Sequence, residues 1–135
     1  MILGFTGTRR GLTEAQRVQL IQMLHALRSR QNVLHQGGAV GADREAMVLA
    51  RQLRYDIHWH PSTLNEVTFD RQYERDEWHD TYPPLARNRH IAQACEVLIA
   101  APLTDEEELR SGTWHTVRCA RDLVKPVILL SRGRK

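Results

Sequence analysis

The stretch His35-Gln36-Gly37-Gly38-Ala39-Val40-Gly41-Ala42-Asp43 decides how this chain reads. A short apolar segment, Val33-Leu34, runs into it, and an amphipathic helical pattern from Arg44 to Arg54 leads away from it. Gly37, Gly38 and Gly41 let the backbone turn tightly, adopt positive φ and bring bare N–H groups close to a ligand. A helix starting directly after the turn adds the positive end of its dipole and its unpaired first-turn amides. Strand, glycine turn and helix start together form an anion cradle, most often one for phosphate. A glycine-rich βα turn with no ligand carries the same letters, so the remainder of the chain must discriminate.

Working outward, Ile2 to Phe5 reads as a strand and Thr6 to Gly11 as the turn after it. Thr13 caps a helix, with Gln16 completing a capping box. Val18, Leu20, Ile21, Leu24 and Leu27 carry its apolar stripe to about Arg30. Val33 to His35 is the second strand, and the helix beyond the glycine loop buries Ala46, Met47, Ala50 and Leu53. Asp56 to His60 is a third strand, stopped by Pro61. A helix over Leu85 to Cys95 precedes Val97 to Ala101, continuously apolar as a parallel strand buried on both faces should be. A helix from about Gly112 to Val124 and a strand Val127 to Leu130 complete the order. This alternation predicts an α/β fold: a single-domain, Rossmann-like three-layer sandwich over residues 1–135, with a parallel sheet of about five strands. Ligands of such sheets sit at the carboxyl ends of the strands, where strand order reverses. The loops at that edge are 6–11, 36–43, 61–86 and 102–113.

The apolar content of 41% and charged content of 26% are those of an ordinary globular domain. No apolar run is long enough to span a membrane, and no secretory signal opens the sequence. Cys95 and Cys119 are not arranged as Cys-x-x-Cys and read as reduced structural thiols, which points to a cytoplasmic protein. The net charge of +3 comes mostly from arginine, spread along the chain apart from the tail Arg132-Gly133-Arg134-Lys135. That balance favours anionic partners in general, and its thin clustering argues against nucleic acid.

With the loops in view, the chain resembles the SLOG superfamily of Rossmann-like nucleotide-binding domains. That superfamily includes the Lonely-guy-type phosphoribohydrolases, the DNA-processing protein A fold and small stand-alone YspA-like proteins. The resemblance covers roughly Ile2 to Leu130 and is closest to the YspA-like branch. It rests on Gly7-Thr8-Arg9, on Gly37-Gly38-Ala39-Val40-Gly41-Ala42-Asp43, on Arg87-Asn88-Arg89 and on Ser111-Gly112-Thr113 opening the last helix. It implies that a nucleotide or nucleotide-derived small molecule is bound, its phosphate on amides around Gly37 to Ala42 or at Gly112-Thr113. Arg87 and Arg89 would add charge-assisted bonds. In the phosphoribohydrolases a glutamate follows the glycine-threonine pair and is catalytic; here Thr116 stands at that position. Threonine has no carboxylate to stabilise an oxocarbenium ion or to activate water. N-glycosidic hydrolysis therefore needs another acid, with Asp43 first in order and Glu106, from the run Asp105 to Glu108, second.

No nucleophile elbow and no Walker A lysine occur, and no cofactor motif is present. His58 and His60 share one face of a strand and amount to half of a metal site, but the sequence spaces no third ligand near them, so no metal is expected. The polar segment 61–84 carries Phe69, Tyr73, Trp78 and Tyr82. It reads as an irregular aromatic-rich insertion, either a lid, a self-association surface of a homodimer or a satellite core, with a short helix from about Phe69 to Trp78.

Overall fold

A computed structural model describes residues 1–64 and 73–133. Among them, strands β1 (Ile2–Gly7), β2 (Val33–Gln36), β3 (Asp56–Trp59), β4 (Glu77–Trp78), β5 (Val97–Ala101) and β6 (Val127–Leu129) form one sheet. Its order is β4-β3-β2-β1-β5-β6, and every neighbouring pair is parallel. Helices α1 (Glu14–Ala26), α2 (Ala42–Gln52), α3 (Pro84–Ala94) and α4 (Gly112–Asp122) connect them. Strand order runs outward from β1 in both directions, so the reversal lies between β1 and β5.

The two faces of the sheet follow the period of two along the strands. Leu3, Phe5, Leu34, Ile57, Trp59, Ile99 and Ala101 pack in one core with Leu20 and Leu24 of α1 and Ala46, Met47 and Ala50 of α2. Leu98 and Ala100 turn the other way, into a second core with Ile91 and Ala92 of α3 and Trp114, Val117 and Ala120 of α4. The result is the expected three-layer sandwich. The capping box of α1 is also as expected, Thr13 accepting from the Gln16 amide and Gln16 accepting from Thr13. Gln16 goes further: its fully buried amide donates to the Pro102 and Leu130 carbonyls, tying the start of α1 to the ends of β5 and β6.

Two helix ends and the strand count differ from the sequence reading. Helix α1 stops at Ala26, with Leu27 as its cap, short of Arg30. Helix α4 stops at Asp122 because Val124 turns into left-handed space at φ 57°, and the Lys125 and Val124 amides close back on the Ala120 and Arg121 carbonyls. The sheet has six strands, not five, since β4 is too short to leave a pattern in sequence.

That sixth strand changes the reading of the aromatic segment. The described part of it is stitched to the sheet edge. Trp78 stands opposite Trp59 in the β3–β4 ladder with ring centroids 5.0 Å apart, and Ser62 bridges to Tyr82. Residues 73–78 form a turn and β4 rather than the end of a helix. Phe69 and the start of that expected helix lie outside the described residues.

The edge is pinned by Asp76, which is 1% exposed. Both its oxygens accept from the Arg51 guanidinium, and it also accepts from the backbone amides of Ile57 and Tyr73. One carboxylate thus joins α2, the start of β3 and the turn before β4. Removing one member of a buried pair strands the other, at a cost of about 3–5 kcal/mol. Asp76→Ala is expected to lower stability by that amount in urea denaturation, while Asp80→Ala, outside this network, leaves it within about 0.5 kcal/mol.

Candidate functional site

At the carboxyl ends of β1 and β5, on the reversal point, lies a cavity of about 460 Å³. Its walls come from four places: the β1 end and following turn, the glycine loop, the first turns of α3, and the 103–113 segment leading into α4. These are the loops that the strand–helix alternation assigns to the ligand edge, with the first turn of α3 standing for the 61–86 loop.

Local chemistry explains each wall. Gly41, at φ +86°, passes so close to the Arg9 backbone that an added Cβ would sit 2.1 Å from its carbonyl oxygen. The Ala42 amide donates to the Thr8 carbonyl at 3.0 Å, clasping the glycine loop to the β1 turn. At Gly37 the intruder is a side chain: a Cβ there would lie 2.2 Å from Nη1 of Arg87. Arg87 is held in this notch by donating to the Asn88 side chain and the His60 carbonyl. Asn88, itself buried, donates onward to the Gly112 carbonyl at 3.4 Å, linking α3 to the start of α4.

The α4 end is different in kind. Ser111 caps it by accepting from the Trp114 amide. An added Cβ at Gly112 would meet nothing within 4 Å, although Gly112 lines the cavity. No protein atom requires glycine there. The first-turn amides of Gly112 and Thr113 have no acceptor among the described residues, as expected of the first positions of a helix.

Asp43 is the charged group set deepest in this wall. Its Oδ2 accepts from the Ala39 amide at 3.2 Å, while Oδ1 is buried with no hydrogen-bond partner. Burial raises its pKa to about 6, against the lowering pull of Arg87 and of the loop amides. Burial in turn lowers the pKa of the Arg87 guanidinium, and Asp43 raises it again. A carboxyl group poised near neutrality can hold or give up a proton at working pH.

The structure gathers most of the residues singled out in sequence. Gly7, Thr8, Arg9, Gly37, Asp43, Arg87, Asn88, Ser111, Gly112 and Thr113 all line the cavity. Gly38, Gly41 and Ala42 stand behind its wall, where they shape and clasp the loop. Arg89 projects from the exposed side of α3 toward Cys119 and His115 and does not line the cavity. In the acidic run it is Glu108, not Glu106, that reaches the rim, where Glu108 accepts from Thr104. Thr116 is fully buried and donates to the Gly112 carbonyl, so it steadies the first turn of α4. Ala39 lines the site within the glycine loop already singled out, and Arg10, Leu103 and Arg110 line it without having been named as binding residues from sequence. Arg110 had a signal, lying next to the Ser111 cap on a loop already placed at the rim.

The structure sets two further imidazoles beside His58 and His60, a proximity that sequence spacing does not show. Parallel pairing puts His35 of β2 in register with His58, and the β4 side brings His79 beside them. Sequence spacing conceals this because the register of neighbouring strands, not proximity along the chain, makes the contact.

No protein-family model matches the chain, and no curated protein sequence matches it. Solved structures do. The molybdenum cofactor binding protein of the phototrophic bacterium Rippkaea orientalis is 22% identical with a TM-score of 0.70, over 95% of this chain and 74% of that one. The molybdenum cofactor carrier protein of Chlamydomonas reinhardtii is 21% identical with a TM-score of 0.65, over 95% and 74%. DNA processing protein A of Streptococcus pneumoniae is 21% identical with a TM-score of 0.66 over 95% of this chain, which spans 49% of its length. This chain shares the fold of these three proteins. Among the described residues, no helix is long and apolar enough to cross a membrane.

Protonation of Asp43 leaves a mark on stability. A carboxyl with a pKa near 6 in the folded chain and 3.8 unfolded binds its proton more tightly when folded. Its presence therefore lowers stability as pH rises from about 4 to about 6, by roughly 3 kcal/mol in all, with no further change above. Denaturation of the native protein and of Asp43→Asn across this range is expected to give a stability difference that moves by that amount and then levels. A difference that is flat with pH would show that Asp43 titrates in the ordinary carboxylate range.

Proposed function

We propose that the cavity at the β1–β5 reversal binds a nucleotide or nucleotide-derived phosphorylated small molecule. The observation that carries this reading is Gly112: a glycine at a helix start, lining a cavity, with open space where its side chain would be. Open space at that point admits an anion to the free amides and positive end of α4. Arg87 supplies a fixed cation on the opposite wall, and Arg9, Arg10 and Arg110 add positive charge at the rim. Ile91, Phe5 and Leu103 offer apolar surface to the rest of the guest. The resemblance of the motifs to nucleotide-binding SLOG domains supports the same reading. Two structural neighbours are named for the molybdenum cofactor, which makes that cofactor a member of the panel to be tried here.

A second reading is N-glycosidic hydrolysis of a nucleoside 5′-monophosphate, favoured by Asp43. Its buried, unpartnered Oδ1 and raised pKa suit a general acid or base at the cavity wall. Thr116 supports an acid placed differently from that of the phosphoribohydrolases, because its hydroxyl is committed to the Gly112 carbonyl.

Calorimetry with nucleoside monophosphates, dinucleotides, sugar phosphates and molybdenum cofactor tests the first reading. At least one member is expected to bind, with Gly112→Ala weakening it at least about tenfold, or about 1.4 kcal/mol. The same substitution should leave the unfolding midpoint unchanged or raise stability by up to about 1 kcal/mol, since alanine favours helix. Absence of heat from the whole panel at millimolar concentration overturns the proposal. Chromatography for free base decides the second reading: release that disappears in Asp43→Asn supports hydrolysis, and binding without release leaves a binding domain.

A further inference from the structure

On the sheet face opposite Trp59 and Ile57, away from the cavity lining, four imidazoles meet. His35 of β2 and His58 of β3 are register partners, and Glu77 of β4 is the next residue across the sheet. His60 and His79 lie two residues further along, so alternation returns them to the same face. The His79 amide donates to the Trp59 carbonyl, which holds that side of the group to the sheet.

The rings are close enough to share an ion. One nitrogen from each of His35, His58 and His79 lies within 4.8 Å of the others. Nδ1 of His58 is 3.2 Å from Nε2 of His79, and Nδ1 of His35 is 2.8 Å from Nε2 of His60. Tetrahedral zinc with Zn–N bonds of about 2.0–2.1 Å places its nitrogen ligands roughly 3.3 Å apart. The His58–His79 edge already has that length, and the His35 nitrogen stands within 4.8 Å of both. His60 stacks on His79 with ring planes 3° apart, so a fourth imidazole braces the trio.

Supporting groups surround them. The Glu77 carboxylate stands 3.5 Å from Nδ1 of His58 and 3.8 Å from Nε2 of His79. The Arg75 backbone is a further hydrogen-bonding partner of His58. Both Glu77 contacts are to the nitrogens that face each other across the His58–His79 edge, so this carboxylate stands as an oxygen donor at the same site. Access is open from the edge strand, where the His79 side chain is 35% exposed while that of His58 is 15% exposed.

We propose that His35, His58 and His79, braced by His60, form a binding site for one divalent transition-metal ion of the zinc class. Three imidazoles leave a fourth position for water, Glu77 or His60, and the nitrogen-only trio selects against calcium and magnesium, which take oxygen ligands. The site does not depend on the reading of the cavity as a phosphate site, since none of the four rings lines that cavity.

The test uses the untagged full chain, freed of metal by chelator and titrated with Co2+ and then Zn2+. Expected are one Co2+ per chain with the strong visible bands of a four-coordinate ion, displacement by Zn2+, and no comparable uptake of Mg2+. His79→Ala, a change at an exposed edge, should weaken uptake at least about tenfold, and His58→Ala at least as much. His25→Ala, on the exposed side of α1, should leave it unchanged. No uptake at millimolar metal, or uptake indifferent to His79→Ala, overturns the site. Should His58→Ala fail to fold, the His79→Ala result alone decides.

Discussion

At Gly41 the glycine loop touches the Arg9 backbone so closely that no side chain fits, and much of the site follows from that contact. It sets the depth at which α2 begins beside the end of β1. Asp43, the second residue of that helix, is thereby carried below the surface and loses its solvent. Gly37 repeats the device with a side chain in place of backbone, admitting Arg87 from α3. A carboxylate and a guanidinium are thus brought into the same wall from helices on opposite faces of the sheet. The glycines that look in sequence like contacts for a ligand serve largely to let the protein approach itself. The one that faces open space is Gly112, on the other side of the cavity.

Desolvation then governs the chemistry. Asp43 and Arg87 pull each other toward the charged form, yet burial is the larger effect on both. The guanidinium stays charged, so Asp43 is the member of the pair that titrates, and the anion proposed for the cavity would compete with it for Arg87. A site of this kind responds to the protonation of its own wall. That is the ordinary position of a buried carboxyl next to a fixed cation.

The layered fold was legible because the strands and helices of such a sandwich write their own periods. The continuously apolar Val97 to Ala101 and the Thr13–Gln16 box show this best, and both stand in the structure as they read. Loop chemistry was legible too, since β1, β2 and β5 deliver their carboxyl ends to one edge whatever their side chains are. Two kinds of information were not. A strand of two residues, β4, has no period to detect, so the aromatic segment looked irregular where Trp78 in fact pairs with Trp59. The histidine group was hidden for a related reason. Its members come from three segments between His35 and His79 and are united by register, which a single strand does not encode. Arg89 shows the converse limit: adjacency to Arg87 in sequence puts it on another side of the helix.

The hydrogen bond from the Ala42 amide to the Thr8 carbonyl has a consequence for kinetics. It fastens two loops that are distant along the chain into one wall, which favours a site ordered before any guest arrives. A guest entering such a wall spends little of its interaction energy on ordering loops, and encounter is governed by diffusion and orientation. Closely related guests then arrive at similar rates, and residence time is what separates them.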